Sequence, residues 1–155
     1  MAMLNIENIR QRSETVQDYM KKLKDKAPSF IDRYASYKLD NEVRTKLKCH
    51  SEGTFILAFS AEWCPDCSNN IPVLAHISDE TGIEVRIFGS LERAAKESGE
   101  KWRVPPSPPE VKEFDIVKIP TIIIYNLEGE RLGDIIENPP REKSLERAIL
   151  DILES

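Results

Sequence analysis

The apolar positions of this chain change their period partway along, and the change divides it. From Leu4 to Leu23 they fall at Leu4, Ile6, Ile9, Val16, Tyr19, Met20 and Leu23, mostly the spacing of one helical face. Ala27-Pro28-Ser29 breaks that run. A second helical stretch carries Phe30, Ile31, Tyr34 and Tyr37 on one face, then Val43 and Leu47, with Asp40 suited to cap a new helix after Leu39. Beyond Ser51-Glu52-Gly53 the pattern becomes that of strands. The run TFILAFS, Thr54 to Ser60, is continuously apolar, as expected of a strand covered on both faces. Residues 64–80 predict a helix that Gly82 closes in the left-handed conformation. Residues 83–88 alternate and predict a second strand. Residues 91–101 predict a charged helix with a solvated face. WRVPPSPPE predicts a proline-rich loop whose Pro109-Glu110 suits the first turn of a short helix to Phe114. TIIIY and RLGDIIE flank Asn126-Leu127-Glu128-Gly129 as a hairpin, and residues 141–153 form a last amphipathic helix.

From Thr54 the order is therefore β-α-β-α-(loop-α)-β-β-α. A helical crossover makes the first strand pair parallel, and a short turn makes the second antiparallel. The 155 residues, 40% of them hydrophobic, suffice for one globular domain, or one with an extension, around a substantial core. With 27 acidic against 22 basic residues and a net charge of -5, the chain lacks the concentrated basic field that nucleic acid or anionic lipid requires. The first residues lack the basic flank and apolar run of a signal peptide, and no segment approaches the ~18 apolar residues of a membrane span. The expectation is a cytoplasmic protein without membrane or nucleic-acid partners.

Three cysteines are too few for a secreted disulfide framework. Two of them form Cys64-Pro65-Asp66-Cys67, after the first strand and at the start of the following helix. Unpaired N–H groups and a partial positive charge at a helix N-terminus stabilise a thiolate, and the two-residue spacing holds a second thiol one turn on, facing the first. Zinc is the rival reading. However, Cys49 and His50 are adjacent and rarely point at one ion, and His76 lies about three turns down the helix from Cys64. No metal and no cofactor are expected. Cys49, near Val43 and Leu47, reads as a buried inert thiol. Trp63 reads as a substrate platform, Trp102 equally as a core plug or part of the proline loop, and neither histidine as catalytic.

Several separated motifs resemble the thioredoxin family. AEWCPDC at Ala61 to Cys67 is similar to its active-site run, including Trp63. Pro72 stands five residues after Cys67, where thioredoxins kink this helix, and KIPT at Lys118 to Thr121 resembles the family's cis-proline segment. IIIYNLEGE resembles the hairpin that follows. The resemblance covers about the last two-thirds of the chain. It implies an α/β thioredoxin fold, a four-stranded mixed sheet flanked by helices, over residues 51–155, with residues 1–50 as a helical extension packed on it. It also implies thiol–disulfide exchange: Cys64 attacks a substrate disulfide and Cys67 resolves the mixed disulfide. Trp63 and the backbone at Ile119, presented by a cis Ile119-Pro120 bond, would meet the substrate, while Pro65 and Asp66 tune the cysteines. The partners would be protein disulfides and an electron-donating reductase or small thiol; a thioredoxin-like adaptor is the second reading.

The departures are specific. Pro65-Asp66 replaces Gly-Pro between the cysteines, the segment before Pro120 is longer, and Ala58 stands where thioredoxins carry a buried aspartate. With alanine there, the proton of the resolving cysteine must pass to Asp66, Glu62 or solvent, and Asp66 is nearest in sequence. The Asp66 charge should oppose the Cys64 thiolate. For an acid placed at position 58, Arg86 is the candidate partner if it faces the same side of the sheet.

Overall fold

The computed structural model of the protein describes residues 3–89 and 110–155. The expected helix 91–101 and the proline-rich loop with Trp102 lie outside the described residues. The elements run α1 (Ile6–Arg12), β1 (Glu14–Thr15), α2 (Val16–Leu23), α3 (Pro28–Ser36), α4 (Asn41–Cys49), a 3-10 turn (Ser51–Gly53), β2 (Thr54–Phe59), α5 (Pro65–Thr81), β3 (Glu84–Phe88), α6 (Glu110–Glu113), β4 (Thr121–Asn126), β5 (Arg131–Ile136) and α7 (Leu145–Glu154).

Side-chain caps fix most of the helix starts. Asn5, Thr15, Asp40 and Ser144 each accept a backbone N–H from three residues on. The first stretch is not one helix, as its spacing predicts, but two. Ser13 turns its hydroxyl back to the Ile9 carbonyl at 2.6 Å, and Thr15 restarts the helix. Ile9 and Val16 stand seven residues apart, so the buried face stays in phase across the break and the pattern conceals it. Glu14 and Thr15 then pair antiparallel with β3. This adds a short edge strand to the four expected, giving a mixed five-stranded sheet in the order β1-β3-β2-β4-β5.

β2 pairs parallel with β3 and antiparallel with β4, as the connections require. The β4–β5 hairpin turns at Gly129 (φ +91), where an added Cβ would lie 2.1 Å from the Leu4 carbonyl oxygen. The helix α5 packs against α2, α3, α4 and α7. Phe30 of α3 is fully buried with its ring edge-on to Tyr19 of α2, the centroids 6.2 Å apart. Polar bonds tie the first helices to the rest of the fold. Arg10 pairs with Glu84, the Gln17 amide donates to Ser78 and Asp79, and the Tyr34 and Tyr37 hydroxyls donate to Asp79 and Glu146.

The register settles Arg86. It stands opposite Leu57, so its side chain shares the face of Leu57, where the guanidinium donates to Ser13 Oγ and to the carbonyls of Arg10 and Ser13. Ala58 stands beside Ile87 and Ile122 on the opposite face, so Arg86 is no partner for an acid there. Ala58→Asp should therefore cost about 1–3 kcal/mol at neutral pH, the desolvation of an uncompensated polar group. Burial would raise the folded-state pKa of the new acid above the ordinary ≈ 3.9. The loss should then be smallest at acid pH, where the carboxyl is neutral in both states, and grow as pH rises towards the folded-state pKa. Urea midpoints compared with wild type across that range measure it; equal midpoints near pH 7 would contradict this.

Candidate active site

The end of β2 delivers the chain to α5 through Ser60 to Trp63. Cys64 is the N-cap, extended at φ -89 and ψ 120, and its sulfur accepts the Cys67 N–H at 3.3 Å. Pro65 occupies the first helical turn, where a missing N–H costs nothing. Cys67, one turn in, faces Cys64. The side chain of Asn70, a further turn on, donates to the carbonyls of Asp66 and Glu137 and to Asn138 Oδ1, tying the first turn of α5 to the segment after β5.

Residues far along the chain complete the site. The Ile119-Pro120 bond is cis, and the Ile119 carbonyl oxygen lies 3.7 Å from the Cys64 sulfur although 55 residues separate them. Trp63, directly before Cys64 in the chain, has 46% of its surface exposed. Cys64 itself is only 7% exposed and Cys67 0%, so the Cys64 thiol is less covered than its neighbour but not open. Asp66 is half-buried beside them.

The electrostatics separate the two thiols. The Cys67 thiol donates to the Cys64 sulfur, and the backbone N–H groups of Cys67 and Asp66 add to it. Together they lower the Cys64 pKa to about 7 against burial and the Asp66 charge. Burial first, and the proton shared with Cys64 second, push the Cys67 thiol up. Alkylation of Cys64 in the reduced protein should consequently rise through a midpoint near pH 7. Asp66→Asn, which removes the opposing charge, should move that midpoint down. A midpoint near the ordinary cysteine value, or one raised by Asp66→Asn, would contradict this.

Cys49 is a correction: it is exposed, not buried. Val43 and Leu47 line the inward face of α4, and Cys49, two residues past Leu47, lies about 200° further round. His76 belongs to the seam between α3 and α5. Its ring stacks on Tyr34 at 4.0 Å, Nδ1 meets Glu80 at 2.9 Å and Nε2 meets the Tyr34 carbonyl at 2.7 Å. Among the described residues, no three His, Cys, Asp or Glu side chains converge as metal ligands, and no helix is long and apolar enough to cross a membrane.

The sequence pattern assigned no chemistry to Ser60 or to Tyr19, which meets it. The Tyr19 and Ser60 hydroxyls are 2.9 Å apart in the buried interior, and Ser60, after the Ala61 backbone N–H, favours the Cys67 thiolate beside it. The alternation of β2 carried a signal for Ser60, two residues beyond Ala58. Nothing in the sequence pointed to Tyr19.

Comparison with known proteins agrees with this geometry. A family model described as Thioredoxin matches residues 12–103, a span that takes in α2, α3 and α4 as well as both cysteines. Among solved structures, an HIV epitope-scaffold aligns over 96% of both chains at 19% identity with a TM-score of 0.68. A protein of unknown function from Pseudomonas aeruginosa aligns over 99% of this chain and 98% of its own at 18% identity with a TM-score of 0.65. The reduced thioredoxin pre-protein of Schistosoma mansoni aligns over 76% of this chain and 92% of its own at 18% identity, with a TM-score of 0.43. No curated protein matches the chain. With more than half of its length matched by that model and a CxxC pair at the start of α5, the chain belongs to the thioredoxin family.

Proposed function

We propose that the protein is a thiol–disulfide oxidoreductase acting as a protein-disulfide reductase. The observation that carries this reading is the asymmetry of its two thiols: one held near pKa 7 at a helix N-terminus, the other shielded and protonated within reach of it. The Cys64 thiolate attacks one sulfur of a substrate disulfide, which becomes a mixed disulfide as the other sulfur leaves. Cys67 then attacks the Cys64 sulfur, the substrate leaves as a thiol, and a Cys64–Cys67 disulfide remains. A reductase or small thiol returns two electrons to that disulfide. Trp63 and the backbone at Ile119, which lies against the Cys64 sulfur, are the proposed substrate contacts, with Pro120 holding that segment in place. Pro65 starts the helix without an idle donor, and Asp66 moderates the thiolate. A reducing compartment such as the cytoplasm suits this direction of flow.

Reduction of a protein disulfide with dithiothreitol as electron source tests the proposal. Turnover should be lost in Cys64→Ser. Equal rates for wild type and variant would leave a binding module that uses the fold without its thiols.

A further inference from the structure

Cys67 must become a nucleophile in a place that disfavours its charge. It is fully buried, the strand beneath it presents Ala58, which has no polar side-chain group to offer, and the Ala61 backbone N–H is one donor that favours its thiolate. Ser60 lies one pleat further along. Its hydroxyl lies beside the Cys67 sulfur, where it favours the thiolate, and hydrogen-bonds the Tyr19 hydroxyl at 2.9 Å. Ser60 is 0% exposed and Tyr19 3%. The Tyr19 ring is seated for this contact. It lies edge-on to Phe30 and against Gly89, where an added Cβ would come within 2.5 Å of Tyr19 Cε1. Burial above all holds the Tyr19 phenol well over its ordinary pKa, so it keeps its proton as a donor. A tyrosine from a helix 41 residues upstream thus reaches the resolving sulfur through one serine.

We propose that Ser60 and Tyr19 form a buried donor relay that stabilises the Cys67 thiolate during resolution, with Ser60 touching the reacting sulfur and Tyr19 acting through it as a positioning residue. In the resting dithiol the Cys67 proton is shared with the Cys64 thiolate. Once Cys64 is tied up in a mixed disulfide that anionic acceptor is gone, and Cys67 must give up its proton. Tyr19 then donates to Ser60, and Ser60 donates to the sulfur. The Cys67 sulfur forms a bond with the Cys64 sulfur as the bond to the substrate breaks. The substrate sulfur leaves with the electron pair and takes up one proton, balancing the one that Cys67 released. The titratable groups facing this pair are Cys64 and Asp66 on α5, Glu14 on β1 and Glu62 in the loop before Cys64. All are acids, so none supplies the positive charge that would otherwise do this work.

The inference rests on the dithiol–disulfide reading, and one experiment separates the two. The full chain carrying Cys49→Ser, which removes the exposed thiol, reacts with Ellman's reagent. The first thionitrobenzoate released reports attack by Cys64, and the second reports resolution by Cys67. Tyr19→Phe should slow the second release about 2- to 10-fold, the worth of a neutral hydrogen bond, and move its pH midpoint upward. The first release should keep its midpoint near pH 7. Ser60→Ala should slow resolution at least as much, and adding Tyr19→Phe to it should change nothing further. Gly89→Ala, which displaces the ring but spares the hydroxyl, should reproduce the Tyr19→Phe profile, and it carries the test if that variant does not fold. Wild-type resolution rates across pH in these variants, or equal slowing of both releases, would overturn the relay. A wild-type protein that never releases the second thionitrobenzoate would instead overturn the dithiol reading.

Discussion

Cys67→Ser should convert the protein into a trap that holds its substrate as a stable mixed disulfide on Cys64. The first attack needs only Cys64, whose thiolate the helix N-terminus still supports through the Cys67 and Asp66 N–H groups. Release is another matter. Cys67 faces Cys64 one turn away, and well-oriented intramolecular reactions reach effective molarities of about 10⁵–10⁸ M. Even a small fraction of that outpaces an external thiol at millimolar concentration, so losing Cys67 should slow release on the order of 10³-fold or more. Non-reducing electrophoresis after mixing with a disulfide-containing protein should reveal the covalent adduct, and reductant should dissolve it. Release at the wild-type rate would mean that substrates leave without Cys67.

Phe30→Ala should cost about 3–5 kcal/mol, as expected for emptying a fully buried aromatic site. Phe30 lies where α3 packs against both α2 and α5, so its loss leaves a cavity between the first helices and the helix that carries the cysteines. Because polar bonds and apolar contact join these helices, chemical unfolding should remain one transition at a lower midpoint. The same cavity removes the edge contact that seats Tyr19, so folded Phe30→Ala should also show a resolving step slowed in the manner of Tyr19→Phe. Two separated transitions, with the α5 half unaffected, would contradict the joint packing.

Among the described residues, the order β2-α5-β3 and then α6-β4-β5-α7, the Asp40 cap, the left-handed Gly82, the hairpin at Gly129 and the place of Cys64 at a helix start were all legible in the sequence. Each is decided within a few residues by period, capping groups or a positive φ. Local reading failed where two structures share one pattern. The apolar face from Ile9 to Val16 continues through a two-residue strand, because a break that preserves helical phase leaves no mark on spacing. Cys49 was misjudged for a different reason: two apolar neighbours suggested burial, whereas its angle on the helix sends it to solvent. Only the assembled fold decided which face of the sheet Arg86 takes, since a shift of one residue in register inverts it. Contacts between distant segments were likewise beyond the sequence. Tyr19 meets Ser60 across 41 residues, whereas the place of Ile119 beside Cys64, 55 residues away, was implied only by the family resemblance. The CxxC motif itself places two thiols together at a helix start, because a helix N-terminus and a two-residue spacing are local properties. What surrounds the buried Cys67 sulfur is set by the packing of α2 against α5 and β3, and no local pattern encodes a hydroxyl delivered from another helix.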